Sequence, residues 1–178
     1  MLEIYNAIKA RLKEREDLFK QLDLPPVKHI DYDKGQYLSP QDFEIFPMPA
    51  LFYTYNATWR NKPGNTQIGT ATVDLKIVMP TSASIALNSS SILQAEEVLN
   101  YHKVVHASLQ GLSTNEVSPL RRTQSGDDPS PVGLHIHNIT YTAEVTDNST
   151  HLLEGYVDTE IEDLNINGKV GAIEFLIE

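Results

Sequence analysis

Histidines at helical and strand spacings are the first residues in this sequence whose types could do chemistry. His102 and His106 lie one helical turn apart, a metal-ligand spacing, and the local text HKVVH comes near the zinc-protease pattern H-E-x-x-H. The chemistry fails at Lys103, which stands where the general-base Glu must be; a cation there repels zinc and cannot activate its water. His102 is therefore expected to be a half-buried packing residue and His106 a flanking one. His135 and His137, two apart in an alternating segment, share one strand face and could chelate an ion from it. No third ligand is evident from the sequence, so they read as two partly exposed imidazoles at a strand end. The stretch DYDKG from Asp31 starts like a calcium loop, but Gln36 replaces the glycine needed at the sixth position and Asp42 the glutamate at the twelfth. Asp127 and Asp128, between Gly126 and Pro129, read as a solvated turn. With no G-x-S-x-G elbow, G-x-G-x-x-G fingerprint or Walker loop either, the expectation is no catalytic residue, no metal, no cofactor and no enzyme.

Two groups of residues are better suited to binding. Trp59, Arg60 and Lys62 approach the Pro63-Gly64 turn of an expected hairpin, and Arg121 and Arg122 precede a polar loop. Large aromatics and Arg favour interfaces, and projecting loops are where function concentrates. The competing reading is that Trp59 folds back on its own sheet.

The elements that position these residues follow from periodicity. Met1, Tyr5, Ile8, Leu12, Phe19 and Leu22 form one stripe of an amphipathic helix that ends before Pro25 and Pro26. Residues 27 to 49 read as a proline-interrupted connection. The run ALFYTY from Ala50 predicts a strand, and Thr66 to Met79 a longer one with Ala71, Val73, Leu75, Ile77 and Met79 on its buried face. The two should form an antiparallel hairpin. Ser91 and Gln94 make a capping box for a second helix carrying Val98, Leu99, His102, Val105 and Leu109, with Gly111 at its C-terminal cap. A polar loop then runs to about residue 131, although Val117 to Thr123 is short, apolar at its start and able to pair with the next strand. Gly133 to Val145 alternates again, with Ile139, Tyr141, Ala143 and Val145 on one face. Asn167-Gly168 marks a final hairpin turn. The order predicts an α+β fold: an antiparallel β-sheet with two amphipathic helices on one face over residues 1–146, and an acidic C-terminal β-hairpin extension at 147–178.

Composition bounds what such a chain can do. At 178 residues it has the length of one domain, and it buries enough surface to need no staple. Zero Cys excludes disulfides, thiolate metal sites and cysteine nucleophiles. Fourteen Lys and Arg against 24 Asp and Glu give a net charge of −10, which argues against a general nucleic-acid binder. Much of the excess lies after residue 154, including Asp158, Glu160, Glu162 and Asp163. The N-terminus MLEIYNAIKARLKEREDLF is charged too often for a signal peptide or a membrane span, so no membrane association is expected and synthesis is expected to leave the chain in the cytoplasm.

Taken together, the N-terminal helix, the strand PALFYTY, its partner ending in TATVDLKIVM, the helix ILQAEEVLNYHKVVHASLQGL, the loop SPLRRTQSGDD and the strand LHIHNITYTAEV resemble the tail terminator, or tail completion, proteins of long-tailed bacteriophages and prophages. The resemblance covers residues 1 to 146. It implies a non-enzymatic virion protein of the tail or neck that closes the head-proximal end of the tail tube as a hexameric ring. Its expected partners are other copies of itself, the tail tube protein and the head connector protein, with genomic DNA passing through without sequence-specific binding. Assembly would take place in the bacterial host cytoplasm. The alternatives are another neck or tail-tube component, or a small protein-binding module unrelated to phage. On the first reading, Asp158, Glu160, Glu162 and Asp163 are expected to face the lumen or a partner.

Overall fold

The computed structural model describes residues 2–38, 46–62, 66–80, 92–129, 133–147 and 149. In chain order they form α1 (Leu2–Glu14), α2 (Glu16–Gln21), β1 (His29–Tyr32), β2 (Ala50–Asn61), β3 (Gln67–Pro80), α3 (Ile92–Leu109), β4 (Arg121–Asp128) and β5 (Leu134–Asp147). The strands make one five-stranded sheet in the order β1-β2-β3-β5-β4. Neighbours are antiparallel except β1, which runs parallel to β2. The α+β class expected from sequence is the one observed.

The N-terminal stripe is helical but not continuous. Ile4, Ile8 and Leu12 are buried along α1; the helix then breaks at Arg15, and α2 returns Phe19 to the core. Its end is a Schellman closure, with Leu24 N–H donating to the Phe19 carbonyl (2.9 Å) and Asp23 N–H to the Lys20 carbonyl (3.1 Å). Asp23 takes the left-handed conformation this requires (φ 55°), and Pro25 and Pro26 follow. Leu22, expected in the stripe, is exposed because it lies past the last helical turn.

The long strands carry the core. Ala71, Val73, Leu75, Ile77 and Met79 of β3 are all buried, as are Ile139, Tyr141, Ala143 and Val145 of β5, against Ile4, Ile8, Phe19, Tyr101, Val105 and Leu109 of the helices. On α3 the buried stripe is Val98, Tyr101, His102, Val104, Val105, Ser108 and Leu109, while Leu99 projects into solvent, contrary to its assignment to the apolar face. Gly111, at φ 78°, closes α3 as expected.

Three segments differ from the sequence reading. His29–Tyr32, assigned to a connection, is the edge strand β1. The far face of the sheet is also partly covered: Tyr37, Ala50, Phe52, Val78 and Ile136 form a second small core under Phe46 and Met48. Residues 121–128, assigned mostly to a loop, form the edge strand β4, whose pairing with β5 extends the expected contact of Val117, itself bridged to Val145. An edge strand needs only a backbone ladder on one side, so RRTQSGDD pairs without any apolar face to announce it. Pro63-Gly64, Ser91 and the proposed extension after 149, with Asn167-Gly168 and Asp158, Glu160, Glu162 and Asp163, lie outside the described residues.

Candidate functional site

The fold gathers histidines that sequence spacing kept apart. His135 and His137 share the helix-facing side of β5, four and two residues before Ile139 in the same alternating row. The α3 stripe brings His102 down onto them: its ring stacks on His137 at 3.7 Å between centroids with planes 13° apart, and lies 5.1 Å from His135. From the edge, Asp127 pairs directly across from His137 and reaches both strand histidines, with Oδ1 2.6 Å from His137 Nδ1 and 3.4 Å from His135 Nε2. One donor atom from each of His102, Asp127, His135 and His137 lies within 4.8 Å of the others. His106 is not part of the group; its Nδ1 meets the Tyr141 hydroxyl at 3.1 Å.

Burial dominates the electrostatics of this cluster. It pushes His102 down to about 3, helped by the neighbouring His137 and His135 and opposed by Asp127. His135 is lowered for the same first reason. At Asp127 burial works to raise the carboxyl, but the His137 hydrogen bond and the nearby imidazoles outweigh it and hold the group below its ordinary value. The shifts favour an ionised Asp127 carboxylate beside neutral His102 and His135 rings. His102 Nε2 and His135 Nε2 are both buried with no hydrogen-bond partner among the described residues. Lys103, whose charge counts against a metal in the sequence, is exposed, whereas its neighbour His102 is buried.

On the opposite face, Lys76 organises the segment that resembled the start of a calcium loop. Its ammonium donates to the Tyr37 hydroxyl (2.8 Å) and lies 3.4 Å from Asp33 and 3.7 Å from Asp128. Gly35 N–H donates back to Asp33 (2.9 Å) and Gln36 is buried, so the turn is a lid pinned to the sheet by one cation.

The interface candidates separate onto different surfaces. Trp59 lies across from Gly69, and a Cβ built there would stand 3.1 Å from Trp59 Cε3, so the indole covers the glycine. At 40 % exposure the same ring still lines an open groove of about 620 Å³ with Leu2, Glu3, Tyr55, Val117 and Val145. Trp59 thus folds back on its own sheet while part of its ring stays open to solvent. Arg60 and Lys62 are exposed, and strand alternation turns them to the face opposite the indole. Arg121 and Arg122 begin β4, three strands from β2 and so roughly 14 Å across the sheet.

No protein-family model matches the sequence, and no curated protein matches it. Solved structures do. A chain from the virion of a native gene transfer agent particle superimposes with a TM-score of 0.55, over 80% of this chain and 94% of that one, at 7% identity. The fold resembles that of a virion component. At that identity the likeness is one of fold alone, and no side chain of the virion chain assigns a role to a residue here.

Strand spacing pairs His135 with His137 as the structure does, but it leaves out the other two members of the cluster. His102 was paired with His106 through helical spacing, and Asp127 was placed in a turn. The signal that could have joined them was the shared apolar face: His102 falls in the α3 stripe, and His135 and His137 fall in the row of Ile139 and Tyr141.

Proposed function

We propose that this chain is a structural component of a phage-like virion, and within it a tail terminator that caps the head-proximal end of the tail tube as a ring and joins it to the head connector. The observation that carries the reading is the fold shared with a virion chain over 94% of that chain's length. The order of elements quoted from the sequence supports the narrower role.

The surfaces suit a ring. A closed ring uses two different patches on each subunit, and this sheet ends in two different edges. β4 is a fully polar edge with Arg121 and Arg122 at one end and Asp127 and Asp128 at the other, whereas β1 is a short edge carrying the exposed Tyr32. The groove under Trp59 offers a third, more apolar surface, suited to the tube or connector protein. The acids Asp158, Glu160, Glu162 and Asp163 are proposed to face a partner or the lumen past which DNA slides. Six copies at −10 each would give a ring about −60 in charge, repelling the duplex rather than holding it.

The test is electron microscopy of particles from the parental phage or prophage with this gene inactivated. Overlong or headless tails are expected. Normal, joined particles would remove the terminator role.

A further inference from the structure

We propose that His102, His135, His137 and Asp127 form a structural binding site for a divalent transition ion of the Zn²⁺ type, tying α3 to the β4–β5 edge of the sheet. This goes beyond the virion reading and does not depend on it.

Three imidazoles and one carboxylate are the donor set that borderline ions such as Zn²⁺ prefer, and four protein ligands make a closed, non-catalytic site. The four side chains come from three elements, so no local sequence motif encodes them, yet their donor atoms already lie within 4.8 Å of one another. Tetrahedral coordination at ordinary Zn–N and Zn–O lengths places donors about 3.3 Å apart, so the widest pair has at most about 1.5 Å to close.

A second observation points to a ligand independently of the clustering. His102 is 8% exposed and its Nε2 has no hydrogen-bond partner among the described residues; His135 Nε2 likewise makes no hydrogen bond, its near contact being Asp127 Oδ1 at 3.4 Å. Buried polar nitrogens left unpaired are costly, and these two belong to the same cluster.

The ion changes the geometry in a specific way. A ligating imidazole holds the metal in its own ring plane, and the rings of His102 and His137 are nearly parallel at 3.7 Å. Two parallel planes cannot share one ion, so binding rotates at least one ring about its Cβ–Cγ bond and opens the stack. Asp127 is 64% exposed and follows without disturbing the core.

The experiment uses the full chain, without a histidine tag, stripped with a chelator and titrated with ZnCl₂ by calorimetry, then with Co²⁺ for its visible spectrum. One Zn²⁺ per chain and the intense d–d bands of four-coordinate Co²⁺ are expected. His102→Ala should weaken Zn²⁺ about 100-fold or more. Because His102 is in the core, Asp127→Asn serves as the second variant: it should keep the native circular dichroism and still lose at least about 10-fold. His106→Gln should bind as the parent does. Absence of stoichiometric binding, a six-coordinate Co²⁺ spectrum, or undiminished affinity in both Asp127→Asn and a His135→Ala, His137→Ala double variant would overturn the proposal.

Discussion

Tyr101 and Tyr141 invite the same substitution with opposite results. Both phenols are buried to within 1% of full coverage, and burial pushes both well above the ordinary tyrosine value, so each keeps its proton throughout the working pH range. Their hydroxyls differ. Tyr141 OH meets His106 Nδ1 at 3.1 Å, whereas Tyr101 OH, whose ring packs 5.2 Å from Phe19, has no partner among the described residues. A buried hydroxyl without a partner costs about 1–3 kcal/mol, and a satisfied one contributes about 0.5–1.5 kcal/mol. Tyr101→Phe should therefore stabilise the protein by about 1–2 kcal/mol. Tyr141→Phe should cost about 1 kcal/mol, with little added because His106 is only part-buried and can turn its nitrogen to water. At roughly 2–4 °C per kcal/mol for a chain of this size, the two variants should melt about 4–12 °C apart, on either side of the parent. Urea unfolding followed by circular dichroism, with an unchanged slope, checks that the shift is one of stability and not of compactness. If Tyr101→Phe falls by as much as Tyr141→Phe, the hydroxyl accounting is refuted.

Further outcomes follow from other contacts. Gly69→Ala would bring its Cβ to 2.3 Å from the Thr58 carbonyl oxygen, so a loss of about 1–3 kcal/mol is expected, with the fluorescence of Trp59 moving to the red as the indole is displaced. Lys76→Met leaves Asp33, 10% exposed, without its cation; a loss of about 2–3 kcal/mol is expected in urea unfolding, partly recovered in Lys76→Met with Asp33→Asn. His106 is lowered from 6.5, first by burial and then by Arg122, so between its folded value and 6.5 the unfolded chain binds more protons. Its contribution is complete above about pH 6.5 and is lost as the pH falls, and the urea midpoint of His106→Gln should decline less from about pH 7.5 to 5.5 than that of the parent.

Legibility in the sequence tracked how many faces of an element are buried. β3 and β5 each place one row against the helices, so period-two alternation marked them, and α3 was marked by its stripe. Leu99 was misplaced because Ile92, Val98, Leu99 and Val105 are compatible with more than one stripe, and the choice is made by Tyr101 and Val104 packing on the sheet. β1 is four residues long and parallel to β2, a pairing that depends on where the chain returns and not on any local pattern. The second core was hidden for a related reason. Phe52 and Val78 fall on the polar row of their strands, and only the distant Tyr37 and Phe46 give that row something to bury against.

The histidine cluster was hidden by one residue of register. The β4–β5 ladder pairs Arg122 with Tyr141 and then Gln124 with Thr140, so Thr123 is an extra residue in a bulge. Beyond the bulge Asp127 pairs with His137, and directly opposed residues project to the same face. Without it the ladder would continue from Arg122 and set Gly126 against His137 and Asp127 against Ile136, turning the carboxylate to the far side of the sheet. A slip of one residue reverses every side chain of a strand, and RRTQSGDD has no buried row to penalise the slip. The sequence therefore contains the face shared by His135 and His137, and the helical phase that delivers His102, but not the placement of Asp127. That placement belongs to the bulge, and the bulge is specified by the ladder around it, with Val117 bridged to Val145 at one end and the His137–Asp127 hydrogen bond at the other.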